Sequence, residues 1–320
     1  MYRNEIGAPG LIISILLSAA MIAAAFMYAP PVANSVETGI CLPAANQWPI
    51  VPIASWALNL ALLASVPVAL YFLNKHFNFI KSNDVILPAA SLFMLSSLPM
   101  LTTGLTTGII ICAVNMILLP IMFNVYKRDN ATQAMFLVAT FLSLGSMIDY
   151  AFVVYAVLYI IIAALMKILR LKEIIAYIFG LVAVYWIGIG FGLIHLDWFQ
   201  GPELQNFIMD FEPSLTMIFV LSAIGLTLLW SVVMTLRITV KLYAGNARIL
   251  CFTSSFTFLA IMSLLGMLID YGNITAYIPS FYISSAVFIS SQMALWPPKR
   301  PSMLPGFLAV IYVGLFTAMI

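Results

Sequence analysis

Two acid–tyrosine pairs at the ends of apolar runs are candidate site residues. Asp149-Tyr150 and Asp270-Tyr271 each follow a long apolar run. A carboxylate at the end of such a run is costly to desolvate, and acids inside a helical bundle are typical of functional sites. If the two acids meet across the bundle, they could share a proton or hold a metal ion, with the tyrosines contacting the substrate. Alternatively, each acid ends a helix at the water boundary, where its tyrosine anchors the interface.

Glu37, His195 and Asp197 are the other candidate site residues, and they lie in or beside two polar segments between apolar runs. The segment 30–50 is rich in Pro, Gly and Asn, and Glu37 is its only charge. Glu37 is a candidate catalytic base or metal ligand, although a single loop acid is usually just solvated. His195 and Asp197 stand at the start of the segment 196–213 and are candidate substrate contacts. A lone histidine there is also consistent with a structural role.

The second polar segment contains a predicted helix over residues 203–212. Its apolar residues recur at helical spacing, while its polar and acidic residues lie on the opposite face. This pattern is typical of an interfacial helix that lies flat on the membrane surface. We expect this helix to stabilise the protein on the outer leaflet rather than to bind a substrate.

The composition determines what kind of element positions these residues. Hydrophobic residues make up 64% of the 320 residues and charged residues only 8%, against about 25% charged in soluble domains. So little polar surface excludes a soluble enzyme, a nucleic-acid reader and a disordered chain, and makes the lipid bilayer the main partner. We expect an all-α, polytopic transmembrane helical bundle of about eleven spans, forming a single integral membrane domain over residues 1–320. The predicted spans are 8–29, 51–73, 85–100, 105–126, 130–148, 150–168, 173–195, 214–236, 248–269, 275–296 and 304–320.

The charges are distributed asymmetrically between alternate connecting segments. All 13 Lys and Arg residues fall in the segments that are inside if residue 1 is cytoplasmic, and none falls in the segments between them. This pattern obeys the positive-inside rule and predicts a cytoplasmic N-terminus. Eleven spans would then put the C-terminus in the periplasm. The outer segments carry acids, which are either solvated loop residues or a surface that attracts cations.

Two stretches of the sequence resemble each other. Ser143–Tyr150 and Ser263–Tyr271 both contain Ser-Leu, a Gly and a final Asp-Tyr, and both end at the predicted outer surface. Because both follow a basic inner segment, they would form a parallel rather than an inverted repeat. The alternative is a chance match between short apolar segments.

Helix-breaking residues occur in the segments 102–108 and 188–192. They mark either a pathway through the membrane or close contacts between helices.

Several common catalytic and energy-coupling motifs are absent from the sequence. It has no Gly-Lys-Ser/Thr phosphate loop, no His-Glu-x-x-His and no Gly-x-Ser-x-Gly, so ATP-driven transport by this chain alone is excluded. Cys41, Cys112 and Cys251 are far apart and fit no metal or redox spacing. We therefore predict no metal site built on cysteine and histidine. The cofactor stays open, with a divalent cation on the outer acids as one alternative.

Five segments resemble an uncharacterised family of bacterial polytopic inner-membrane proteins of about this length. They are Tyr126–Asn130, Ser143–Tyr150, Lys167–Glu173, Ile278–Ser280 and Pro297–Arg300. The likeness covers most of the chain through hydropathy and loop spacing, and this family implies no activity. More distantly, the layout is similar to the membrane core of the GT-C lipid-linked glycosyltransferases, which have a structured first outer loop and an outer interfacial helix.

The GT-C resemblance implies a transferase that takes a sugar from a polyprenyl-phosphate carrier at the outer face. Glu37 stands where that superfamily carries one or two acids in its first outer loop. This sequence has no Asp there and no outer Arg or Lys to hold the phosphate of the carrier. A divalent metal bound by outer acids would have to substitute.

Three functions remain open from the sequence. The first is the GT-C-like transferase with Glu37 as base or metal ligand, which the architecture ranks slightly first. The second is a secondary transporter of a cation or small solute, with Asp149 and Asp270 as gating or coupling acids. The third is a non-catalytic membrane subunit that scaffolds other membrane proteins. The expected partners are therefore the bilayer and either a lipid-linked substrate or other membrane proteins, and no nucleic acid.

Overall fold

The computed structural model is helical throughout the part of the chain that it describes, which is residues 8–29, 39–43, 45–80, 85–199, 215–242, 247–295 and 303–320. These residues contain eleven α-helices and no extended strand. The helices are α1 Ala8–Tyr28, α2 Pro52–Phe77, α3 Ile86–Ser96, α4 Thr107–Asn124, α5 Thr132–Ser146, α6 Ala151–Leu165, α7 Leu171–Gly190, α8 Leu215–Leu242, α9 Ala247–Ile269, α10 Ile274–Leu295 and α11 Met303–Met319. Each predicted span overlaps one of them.

Five helical segments are both long and apolar enough to cross a membrane. They are Pro52–Phe77, Thr107–Asn124, Leu171–Gly190, Ala247–Ile269 and Tyr271–Ser291. Large apolar side chains also cover the outside of the bundle, and Trp186 and Phe179 on α7 are 77% and 65% exposed. Because soluble proteins rarely expose such continuous apolar surface, these features identify a multi-pass integral membrane protein.

Helix α10 is the central element of the bundle. It packs against α3, α4, α8 and α9, and its membrane-length segment is buried almost throughout. Gly108 allows the close approach of α4, because a Cβ atom there would meet the backbone oxygen of Thr275. Beside this core, α6 packs on α9 and α5 packs along α7. The start of α10 is therefore surrounded by protein.

The break between α3 and α4 lies inside the bundle. Helix α3 ends at Ser96, earlier than the predicted limit of 100, because Leu98 precedes a proline and adopts an extended conformation. The amide of Asn59 on α2 donates to the carbonyl oxygen of Leu101 at 2.9 Å. Non-helical backbone is tolerated at membrane depth only where protein or a cavity surrounds it, and this segment meets the first condition.

Basic side chains gather at one end of the helices, which we call the basic end. The backbone N–H of Lys127, after α4, donates to the carbonyl of Met166, after α6, at 3.1 Å. Arg170, before α7, forms an ion pair of 2.6 Å with Asp129, before α5. These bonds bring four helix ends together. Asp149 and Asp270 follow the far ends of α5 and α9 and define the opposite, acidic end.

Candidate functional site

Asp149 is a buried acid at the acidic end, in the short turn between α5 and α6. Its side chain is 0% exposed. One carboxylate oxygen accepts a hydrogen bond from the backbone N–H of Ala151 at 2.7 Å, which satisfies the first N–H group of α6. The side-chain amide of Asn273 donates to both carboxylate oxygens, at 3.1 and 3.0 Å. Asp149 therefore joins the start of α6 to the start of α10.

Asp270, the second candidate acid, is half-buried between α9 and the short turn that precedes α10. Burial raises the pKa of its carboxyl group, while hydrogen bonds from the side chains of Tyr277 and Asn273 act in the opposite direction. The backbone N–H of Asn273 also donates to the carbonyl oxygen of Asp270 at 3.2 Å. Asn273 therefore contacts both acids and places them in one cluster.

The two acids follow helix ends that have similar local structures. The backbone N–H of Asp149 donates to the carbonyl of Gly145 at 3.0 Å, and that of Asp270 donates to Gly266 at 2.8 Å. At each glycine the ring of a later aromatic residue occupies the space that a Cβ atom would need. The two similar sequence stretches thus share a local geometry. A wider parallel repeat stays a prediction.

A chain of buried polar side chains leads from the acids into the bundle. We call it the polar column, and its members are Asn115, Tyr155, Tyr159, Ser263, Tyr277 and Ser280. The rings of Tyr155 and Tyr277 stack with centroids 6.2 Å apart, and the Tyr155 hydroxyl lies 3.0 Å from that of Ser263.

The polar column continues toward the basic end through α4. The Asn115 amide donates to the hydroxyl of Ser280 at 3.2 Å, and the hydroxyl of Tyr159 donates to the side-chain oxygen of Asn115 at 3.1 Å. Tyr155 and Tyr159 are one helical turn apart on α6. Helices α4, α6, α9 and α10 therefore share one hydrogen-bonded interior. Hydroxyl groups can both donate and accept, so such a column can hold or pass a proton.

The two predicted substrate-contacting tyrosines follow the acids directly. Tyr150 and Tyr271 are half-buried at the acidic end. Burial raises the pKa of Tyr150, and the nearby thiol of Cys41 adds to the effect. Burial also raises the pKa of Cys41 itself. The raised pKa values of Tyr150 and Cys41 therefore disfavour their reactive, deprotonated forms.

His195 and Asp197 lie in the segment that follows α7, and both side chains are exposed. The His195 ring makes an edge contact with Trp198, with centroids 4.9 Å apart. Their exposure contrasts with the buried acids, and their substrate-binding role stays a prediction.

Glu37 and the predicted interfacial helix over 203–212 lie outside the described residues. Residues 39–43, which belong to the polar segment 30–50, contact the turn before Asp149. The backbone N–H groups of Ile40 and Leu42 donate to Ser146 and Met147 at 3.2 and 2.9 Å. Gly39 is buried there, and a Cβ atom at this position would meet the backbone oxygens of residues 147 and 148.

A protein metal site does not appear in the described part of the chain. No group of three or more His, Cys, Asp or Glu residues there is arranged to hold a metal ion. The proposed divalent cation on the outer acids stays a prediction, since several of those acids lie in the segments 30–38 and 200–214, which the structure does not describe.

The site roles of Asn273 and of most of the polar column were not predicted from the sequence. Asn273 is only 2% exposed and lies at the start of α10, an apolar helix with few charges nearby. A usable signal was present: Asn273 and Tyr277, like Tyr155 and Tyr159, stand four residues apart within apolar runs. Polar residues at this spacing share one helix face.

Comparison of this chain with protein-family models, with curated proteins and with solved structures finds no match. The resemblance to bacterial inner-membrane proteins and to GT-C enzymes therefore stays a prediction, and the function rests on the site itself.

Proposed function

We propose that this chain is a secondary transporter that binds a cation at Asp149 and Asp270. The observation that supports this proposal is the complete burial of the Asp149 carboxylate, held by Asn273, beside a second acid at the same end of the bundle. A carboxylate inside a membrane bundle is costly to maintain, and such acids are typical of ion pathways and coupling sites.

Cation binding gives the buried acid a way to change the packing of the helices. An ionised Asp149 accepts strong hydrogen bonds from Asn273, because hydrogen bonds to charged groups are stronger than those between neutral groups. A bound proton or metal cation neutralises the carboxylate and weakens this link between α6 and α10. The two occupancies thus favour different arrangements of α10, which is the requirement for a carrier with two states.

The charge pattern supports one orientation of this carrier. The Lys and Arg residues of the inner segments predict that the basic end faces the cytoplasm. Asp149 and Asp270 would then meet the outside solution. Outer segments without basic residues repel cations least and attract them through their acids. Cations would therefore enter the site from the outer face.

Ion flux in proteoliposomes tests the proposal. Purified protein is reconstituted, a gradient of Na⁺, K⁺ or H⁺ is imposed separately, and uptake is followed with an ion-sensitive dye. We expect uptake of one of these cations by the wild type and by Asp197→Asn, and none by Asp149→Asn. Asp197 is the matched control because it is an exposed acid in the outer segment 196–213. Equal uptake by the two variants would contradict the proposal.

A transferase that uses a polyprenyl-phosphate-linked sugar is a second candidate. The observation in its favour is that residues 39–43, which follow Glu37 in the same segment, contact the turn before Asp149. Native mass spectrometry of the protein in nanodiscs tests it. A bound polyprenyl-phosphate that is lost in Glu37→Gln supports the transferase, and phospholipid alone contradicts it.

A further inference from the structure

Glu173 is a second buried carboxylate, at the end of the bundle opposite to Asp149. It lies in the first turn of α7, yet its side chain is only 1% exposed. One oxygen is 3.5 Å from the backbone N–H of Ala131 and 3.6 Å from the ammonium of Lys172. The other oxygen, Oε2, is buried and has no hydrogen-bond donor within the described residues.

The charges around Glu173 do not account for its burial. Arg170 pairs with the exposed carboxylate of Asp129 at 2.6 Å, and the ammonium of Lys172 also donates to the backbone oxygen of Asp129 at 3.1 Å. Both basic residues thus make their shorter contacts with Asp129, while one oxygen of Glu173 has no donor among the described residues. A buried charged oxygen without a donor is costly, and a proton on this oxygen lowers that cost by neutralising the group.

Tyr177 lies on the path from Glu173 toward α6, the helix that carries two members of the polar column. Tyr177 lies one helical turn further along α7, so both side chains share a helix face. Its hydroxyl donates to the carbonyl oxygen of Ala156 on α6 at 2.7 Å. Tyr159, three residues later on α6, is a buried member of the polar column and donates to Asn115. Tyr177 therefore places a polar side chain from the α7 face of Glu173 against α6, the helix that carries Tyr155 and Tyr159.

We propose that Glu173 is the proton-binding site at the basic end, and that it exchanges a proton with Asp149 through Tyr177 and the polar column. This inference rests on the proposed function and narrows its cation to the proton. The Asp149 carboxyl releases the proton and becomes a carboxylate. Hydroxyl groups pass it along, with water between groups that are beyond hydrogen-bond distance. The Oε2 of Glu173 takes it up, so that charge is conserved.

Proton flux at the two ends tests this inference. Proteoliposomes that contain a pH-sensitive dye and valinomycin with a potassium gradient report inward proton movement. We expect Glu173→Gln to lower the flux about tenfold or more, since the amide has the same shape but does not ionise. Glu173→Asp, which keeps a carboxylate, should retain part of the flux. Arg128→Gln is the control, because it removes an exposed charge at the same end, and it should leave the flux unchanged.

The outcomes separate the two proposals. Wild-type proton flux in Glu173→Gln overturns the role of Glu173, even where Asp149→Asn abolishes flux. A wild-type protein that moves no cation overturns the proposed function, and the role of Glu173 with it. If Glu173 only stabilises the position of α5, the Glu173→Gln variant should carry wild-type flux and should differ only in thermal stability.

An infrared measurement covers the case in which Glu173→Gln fails to fold. Glu5, Glu37, Glu203 and Glu212 are replaced by Gln, and the remaining glutamate is labelled with ¹³C. A pH-difference spectrum should show a protonation band of this label that shifts in D₂O as a buried carboxyl group would. Absence of this band overturns the inference.

Discussion

The side-chain amide of Asn273 donates to both carboxylate oxygens of Asp149, at 3.1 and 3.0 Å, although the two residues are 124 positions apart. This contact joins the turn between α5 and α6 to the start of α10, the central helix. A buried acid and its amide partner thus link two halves of the chain. The proposed transporter depends on this link, because cation binding to Asp149 changes its strength.

Replacing Asn273 with Ala should destabilise the protein. The change leaves the Asp149 carboxylate with fewer donors, and a lost hydrogen bond to a buried charged group costs about 1–3 kcal/mol. Thermal unfolding in detergent, followed by circular dichroism, measures the effect. Asn124→Ala is the control because Asn124 is exposed at the end of α4. Unfolding temperatures that are lowered equally in both variants would argue against the Asp149–Asn273 contact.

Replacing Asp270 with Asn should change how stability depends on pH. Burial raises the pKa of Asp270 above its ordinary value of 3.8, so the folded state holds this proton more tightly than the unfolded state. The wild type therefore loses stability as pH rises from 3.8 through the raised pKa. The variant lacks this titration and should be the more stable protein above that interval.

Unfolding temperatures of the wild type and Asp270→Asn across a pH series measure this difference. The two curves should converge at acid pH, where Asp270 is protonated, and separate as pH rises. Asp197→Asn, which changes an exposed acid, should follow the wild-type curve. A wild type that gains stability over Asp270→Asn with rising pH would mean that Asp270 is stabilised as a carboxylate.

Replacing Gly39 with Ala should detach the first outer loop from the turn before Asp149. A Cβ atom at Gly39 would meet the backbone oxygens of Met147 and Ile148, and forced overpacking costs about 1–3 kcal/mol. Gly104→Ala is the matched control, since a Cβ atom there has nothing within 4 Å. Limited proteolysis should cut the loop faster in Gly39→Ala alone. Equal cleavage in both variants would show that Gly39 is not closely packed.

Replacing Tyr155 with Phe should interrupt the polar column while preserving the fold. The variant keeps the ring that stacks on Tyr277 and loses the hydroxyl bonded to Ser263, which costs about 1 kcal/mol. Proton flux in liposomes should fall by more than this small loss of stability explains. Tyr71→Phe, at a half-buried position on α2, is the control. Unchanged flux in Tyr155→Phe would place the proton path elsewhere.

Most of the helices could be predicted from apolar runs, because membrane-length hydrophobic segments have one stable backbone structure. The errors lie at helix ends. Helix α2 continues to Phe77, beyond the predicted 73, and α3 stops four residues before the predicted 100 because of Pro99. The side of the membrane on which each end lies stays a prediction from the distribution of Lys and Arg.

The candidate site could be predicted only in part. Asp149 and Asp270 stood out because acids at the ends of apolar runs are rare. Asp149 follows the end of α5, as the alternative of an acid at the water boundary also predicts, but its side chain is wholly buried. The partner Asn273 could not be predicted, because hydropathy does not specify which helices meet. The burial of Glu173 could not be predicted either, because it depends on the packing of α7 against α5.

Charge movement on solid-supported membranes tests the central claim most directly. A rapid rise in the concentration of the transported cation should produce a transient current with wild-type protein, because the ion enters a buried carboxylate site. We predict the same current with Asp197→Asn and none with Asp149→Asn, at equal amounts of folded protein. A full-size current with Asp149→Asn would show that the cation does not bind Asp149 and would contradict the account.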